Sequence, residues 1–315
     1  MTFYCEERDC TESSARTVWH NLIRAKKLSK SGSNNNTMLP KKPKWVTSGL
    51  LKTIGELPPN SSKNMFTSLV GYLKLTKGPK RIQEKASKGM YDKNALVTEH
   101  YRSRKKTPKQ TKNWVSLDSV RKMFKDQQAL IKARGLHGKE ELSGKDRGHL
   151  QKHLMLSLHG ALPNMPPGRL SYADVFFVSS KDPRDDKQKN YLWKTRNGYQ
   201  VLLNVHKTSR KKGPRQFKLP AQMSRILNRY IKSTNLQFGD PLFIDRKGQK
   251  MSRNSYSKRI IAMFEKSLGK KVGTSLLRNV WLSEKHKNLD IESMARDSQI
   301  MGHSVQMAMD HYVKK

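Results

Sequence analysis

Asn190-Tyr-Leu-Trp-Lys-Thr195, Arg196-Asn197-Gly198 and Tyr199-Gln-Val-Leu-Leu-Asn-Val205 decide the fold class of this chain. Both outer segments are rich in aromatic and branched residues that suit a pleated surface, and the Asn-Gly pair between them is a strong hairpin-turn signal. Upstream, Ala173 to Ser180 carries Val175, Phe176, Phe177 and Val178 and predicts another strand. Downstream, Arg215-Gln-Phe-Lys-Leu219 predicts one more, after Ser209-Arg-Lys-Lys-Gly-Pro214. Lys207 falls where one strand runs into the turn before the next. Together these strands predict a small antiparallel sheet.

The rest of the chain reads as helix. Past the sheet, apolar spacing of three and four predicts helices over about Ala221 to Ser233, Arg253 to Leu268, Ser275 to Lys287, Ile291 to Met301 and Val305 to Val313. Met294, Ile300, Met301, Met307, Met309 and Trp281 are expected to pack these C-terminal helices. Before the sheet, Ser116 caps a helix carrying Val120, Met123 and Phe124, and another runs from about Lys145 to His159. Ala161-Leu-Pro-Asn-Met-Pro-Pro-Gly168 then forces an irregular turn that hands the chain to Arg169. Earlier still, Trp45, Leu50, Leu51 and Ile54, and beyond Pro58-Pro59 Met65, Phe66, Leu69, Val70, Tyr72 and Leu73, predict two or three small basic helices. The expected class is α+β: a flexible N-terminal segment over 1–42 that includes Asn-rich residues 31–36 and a helical possibility from Ala15 to Leu28, a small all-α domain over 43–112 closed by the basic run Tyr101 to Lys112, and a mixed α/β domain over 113–315.

Charge narrows the class of partner. The 315 residues hold 64 Lys and Arg against 25 Asp and Glu, a formal +39, whereas a net charge of about 2 to 8 keeps a small domain soluble. Basic residues exceed acidic ones both before and after residue 112, so the charge is not one tail. A folded binder of a polyanion, wrapped around nucleic acid, fits better than a basic surface kept for solubility. Cys5 and Cys10 have no second pair to complete a zinc site, and a reduced, intracellular protein is expected. No apolar run approaches about eighteen residues and no signal-peptide core follows Met1, so neither membrane insertion nor secretion is expected.

Cutting a DNA strand without a metal takes a nucleophile, donors that neutralise the non-bridging phosphate oxygens, and an acid for the departing oxygen. Arginine suits the second task through its planar fork, and tyrosine can supply the first. No Walker loop, zinc signature or paired-carboxylate motif is present. Pro166-Pro-Gly-Arg169 opening a strand, Lys207 in a following turn, Ser275-Leu-Leu-Arg278 on a helix, Gly302-His303 and finally Tyr312 form an ordered set. In that order the set resembles the active site of the tyrosine recombinase, or phage integrase, family. The resemblance runs from about Asn113 onward, and the helical segment before it is similar only in character to that family's core-binding domain. Pro166-Pro167 and Lys207-Thr-Ser209 are similar to recombinases of viruses and mobile elements. Singly, each residue has a plainer reading, such as a solvated arginine, a glycine helix stop or a packing tyrosine. The order and the spacing from His303 to Tyr312 carry the resemblance.

The resemblance implies a tyrosine recombinase catalytic domain in which Arg169 and Arg278 clamp the scissile phosphate. Lys207 acts as general acid toward the 5′-oxygen, with Lys211 and Lys212 sharing its turn. His303 hydrogen-bonds a non-bridging oxygen, and Tyr312 forms a 3′-phosphotyrosyl linkage. It also implies a duplex DNA partner held between the two domains, four protomers synapsing two sites, and no cofactor, because the bond energy is kept in the intermediate. Only Val313, Lys314 and Lys315 follow the tyrosine in this sequence, so any exchange between protomers is expected to use other surfaces or to be weak. One position departs from the pattern: Ser275 stands where the family usually has histidine, and a hydroxyl can donate to phosphate but does not titrate near neutrality. His286 is more than two helical turns from Arg278 and does not replace it. Two alternatives remain. One is a type IB topoisomerase or hairpin-forming enzyme; the other is a basic DNA-binding protein in which Ser275 marks lost catalysis.

Overall fold

The computed structural model describes residues 11–29, 39–182, 184–288 and 290–314, with Lys211 described by its backbone alone; Cys5, Cys10 and the Asn-rich stretch 31–36 lie outside this range. The chain divides into two compact units, Met1–Ser103 and Arg104–Lys315. The division falls earlier in the chain than residue 112. Among the described residues no helix is long and apolar enough to cross a membrane.

The first unit is helical because its apolar residues recur on helical faces between clear start signals. Helix α1 (Glu12–Leu28) is capped by Thr11, α2 (Ser48–Gly55) by Thr47, and α3 (Pro59–Leu75) begins on a proline, which loses nothing at a helix's first turn. Helix α4 (Lys80–Arg102) follows. Leu22 and Ala25 of α1 join Trp45, Leu50, Ile54, Met65, Phe66, Leu69 and Leu73 in one core. The helix within 1–42 is therefore packed into the unit rather than part of a flexible segment. Trp45 Nε1 donates to the Tyr72 hydroxyl at 3.1 Å, which in turn donates to the carbonyl of Pro40 at 2.5 Å. The chain entering α2 is thereby tied to α3. Helix α4 buries only Ala86 and Val97 along its length.

The second unit opens with the short α5 (Pro108–Asn113), closed by a capping box between Thr107 and Gln110, so the end of the basic run is helical. Helix α6 (Leu117–Ala133) is capped by Ser116 and α7 (Gly144–Leu156) by Ser143. A π turn, Ser157–Ala161, ends α7 and runs into the proline-rich turn. The sheet comprises β1 (Val175–Val178), β2 (Asn190–Thr195), β3 (Gly198–Leu203) and β4 (Arg215–Lys218), in that spatial order. Strands β2 and β3 pair antiparallel from Asn190↔Leu203 to Thr195↔Gly198, around the Arg196-Asn197 turn. Strand β4 adds antiparallel to β3.

The sheet is mixed rather than antiparallel, because β1 pairs with β2 in parallel, Val175 beside Asn190. The segment 179–189 carries the chain back to the starting end of β1, which a tight hairpin cannot do. On its outer edge β1 is covered by residues 239–242: Phe177 N donates to Asp240 O at 2.9 Å and Leu242 N to Val175 O at 2.8 Å. Helices α8 (Ala221–Thr234), α9 (Arg253–Leu268), α10 (Thr274–Lys285) and α11 (Ile291–Met301) follow, and Val305–Met307 leads into a second π turn, Ala308–Tyr312. One core unites α6, α7, one face of the sheet and the C-terminal helices, with Phe243, Tyr256, Val280 and Trp281 at its most buried positions. Met294 and Met301 join it, whereas Met307 is exposed.

Candidate active site

The proline-rich turn places Arg169. Met165, Pro166, Pro167 and Gly168 are all buried, and a Cβ at Gly168 would run into the ring of Tyr172, so glycine lets that ring close beneath the turn. Arg169 emerges half-buried and donates from Nη2 to the Tyr312 hydroxyl at 3.2 Å. Arg278 projects from α10 and is 1% exposed. Its guanidinium carbon lies 4.6 Å from the centre of the Tyr312 ring, and its Nη2 donates to the Met301 carbonyl at 3.3 Å. Gly302 stops α11 in the left-handed conformation, Ser304 caps the turn that follows, and between them His303 stacks on Tyr312 at 4.9 Å and 22°. Arg169, Arg278, His303 and Tyr312 thus meet at one point.

The electrostatics of that point are unusual. Burial lowers the pKa of Arg278 to about 10; the Tyr312 phenol opposes this, while Arg169 and Arg215 add to it. Arg278 Nε and Nη1 and His303 Nε2 are buried without a hydrogen-bond partner. None of the ion pairs among the described residues uses Arg169, Arg215 or Arg278. Crowded cations with spare donors and no carboxylate partner are arranged for an anion with several oxygens. Burial likewise lowers His303 to about 4, partly offset by its bond to the Ser304 carbonyl. Because a carbonyl only accepts, Nδ1 must donate in that 3.0 Å bond, and at neutral pH Nε2 then carries a lone pair. To donate to a phosphate oxygen His303 takes up a proton, which an approaching negative charge favours.

Lys207 and Ser275 are both solvent-exposed, Lys207 in the turn after β3 and Ser275 on the first turn of α10. The charge of Lys212, in the same turn as Lys207, acts on His303. Two residues that sequence reasoning missed also belong to the site: Arg215, at the start of β4, and His206, whose Nε2 lies 3.0 Å from the Gly213 carbonyl. With Arg169, Tyr172, Thr208 and Gly302 they line a small cavity. Nothing in the sequence separated Arg215 from the 64 basic residues, because its importance comes only from what the fold brings beside it.

Two further contacts hold this constellation. The Ser283 hydroxyl donates to the Tyr312 carbonyl at 3.3 Å and accepts from the Lys314 amide at 2.7 Å, with Val313 buried between them. Asp297 of α11 receives Trp281 Nε1 at 3.3 Å, His286 Nε2 at 2.9 Å and Lys285 Nζ at 2.8 Å, all near the C-terminal end of α10. Burial raises the Asp297 pKa, but the hydrogen bonds from His286 and Lys285 and the lysine charge outweigh it, and the net shift is downward. A depressed carboxyl stabilises the fold above its unfolded pKa, about 3.9, and that contribution fades as pH falls through the folded value. Asp297→Asn should therefore lose about 1–3 kcal/mol in urea unfolding at pH 7. The gap from wild type should narrow below roughly pH 4.

Among the described residues no group of three or more His, Cys, Asp or Glu side chains is placed to hold a metal ion. Compared with models of known families and with curated proteins, the sequence matches none.

Proposed function

We propose that this chain is a site-specific DNA recombinase that cleaves and rejoins strands through a 3′-phosphotyrosyl intermediate. The observation that carries the reading is the convergence of Tyr312 with Arg169, 143 residues upstream, and with Arg278 and His303 on two further elements. A tyrosine used only for packing has no need of a buried guanidinium with unpartnered donors against its ring and a second one on its hydroxyl. In the proposed step the Tyr312 oxygen forms a bond to phosphorus as the bond to the 5′-oxygen breaks. The phenolic proton passes to solvent water, and the leaving oxygen gains one from a lysine of the 207–212 turn. Arg169 and Arg278 stabilise the charge that grows on the non-bridging oxygens. A 5′-hydroxyl from a second strand reverses the step, so no nucleotide or metal is consumed. Duplex DNA is the partner, and a tetramer on two synapsed sites is the assembly that strand exchange requires.

The test is a nicked suicide duplex in which the short fragment bearing the freed 5′-hydroxyl diffuses away. The wild-type chain should form a denaturant-resistant adduct in the presence of a chelator, with the modified peptide containing Tyr312. No adduct on any duplex, including candidate ends flanking the coding locus, would sink the reading.

A second reading draws on the exposure of Ser275 and Lys207: a DNA-binding protein that has lost strand cleavage. It expects tight duplex retention with no adduct in the same assay. A type IB topoisomerase would instead give the adduct and relax supercoiled DNA as a monomer without recombinant product.

A further inference from the structure

The end of an α-helix leaves its last four carbonyls without partners from the helix itself. At the end of α11 all four are engaged. Ser298 O accepts from His303 N at 3.1 Å, and Gln299 O from Gly302 N at 3.2 Å and from Arg215 Nη2 at 2.7 Å. Ile300 O also accepts from Arg215 Nη2, and Met301 O accepts from Arg278 Nη2 at 3.3 Å. Two guanidiniums, one from β4 and one from α10, therefore close on a single turn. That turn is the one that delivers His303.

We infer that Arg215 is a positioning residue that fixes the Gly302-His303 turn against Arg278 and so sets the imidazole beside Tyr312. Its role in chemistry rests on the strand-cleavage reading above; its effect on the turn does not. The site shows how closely the two parts fit. Gly302 has φ +76°, and a Cβ there would collide with the Arg215 guanidinium. Burial lowers the pKa of Arg215, and neighbouring Arg169 lowers it further. The partial negative charge at a helix C-terminus is what compensates a cation held there. Both Arg215 bonds to these carbonyls come from Nη2; a lysine retains the charge but carries it on a flexible stem, without the rigid planar group that holds that nitrogen in place.

The experiment follows the His303 ring by nitrogen-edited NMR during a pH titration of the full chain, in wild type, Arg215→Ala and Arg215→Lys. Wild-type His303 should titrate near about 4. In both variants the midpoint should rise toward the ordinary value of about 6.5 as the loosened turn admits water. Arg215→Lys keeps the charge, so a rise in that variant reports the loosened turn rather than the loss of a cation beside the Arg278, Arg169 and Lys212 charges that act on His303. In parallel, adduct formation on the nicked duplex should fall on the order of 100-fold. Adding His303→Ala to Arg215→Ala should cost less than it does in wild type, since both act through one group. An unmoved midpoint in a folded Arg215→Lys protein overturns the inference. So does failure of both variants to fold, which would make Arg215 a scaffold residue. A wild-type chain that forms no adduct defeats the recombinase reading instead, and the titration still decides Arg215.

Discussion

Tyr312→Phe is expected to bind duplex DNA as wild type does and to form no covalent adduct. The substitution removes one oxygen. The ring that His303 stacks on, and that Arg278 faces at 4.6 Å, remains, so the surrounding side chains keep their places. What disappears is the acceptor of the 3.2 Å bond from Arg169 and, with it, the attacking atom. Loss of a covalent nucleophile costs up to about 10⁶-fold where it has been measured, so adduct yield should drop below detection. Single-turnover cleavage, with gel-shift binding run alongside, reads both quantities from one preparation. An adduct that persists in Tyr312→Phe would falsify the nucleophile assignment, whatever its effect on rate.

The second large effect pulls activity and stability apart. Arg278→Met should lower the single-turnover cleavage rate by at least ~100-fold, the scale of losing one preorganised transition-state donor. It should unfold in urea at no lower concentration than wild type. The reason is the cost of holding this cation where it is. A folded-state pKa near 10 in place of the ordinary 12.5 penalises the charged form by roughly 3 kcal/mol. For a cation with a depressed folded pKa, that penalty is present at every pH below about 10 and disappears when the charge is removed. Methionine fills much of the same volume without it. Unchanged cleavage would refute a phosphate clamp. A large fall in stability would show that Arg278 is retained for packing.

Legibility of the fold followed the strength of local signals. Helices Arg253–Leu268 and Ile291–Met301 were readable to the residue because Ser252 and Asp290 cap their starts and Gly269 and Gly302 stop them in the left-handed conformation. The β2–β3 hairpin was readable from alternation and its turn. The direction of β1 was not, since a strand's residue pattern is the same whichever way its neighbour runs. Helix α4 was less legible because its apolar stripe is thin, Ile82, Ala86, Met90 and Val97 over 23 residues, and only Ala86 and Val97 are buried. At the site, Arg169, Arg278, His303 and Tyr312 could be named because an ordered pattern linked them. Lys207 and Ser275 came from the same pattern and are both solvent-exposed. Arg215 belongs to no pattern in the linear chain; only the fold brings it to the end of α11.

The Ser283 hydroxyl makes a small stitch on both sides of Val313, to the Tyr312 carbonyl and the Lys314 amide, from the same helix that bears Arg278. The Tyr312 ring and the helix that carries Arg278 are thus joined directly within one chain. On the recombinase reading proposed above, each copy in an assembly would carry its own tyrosine together with its own two arginines.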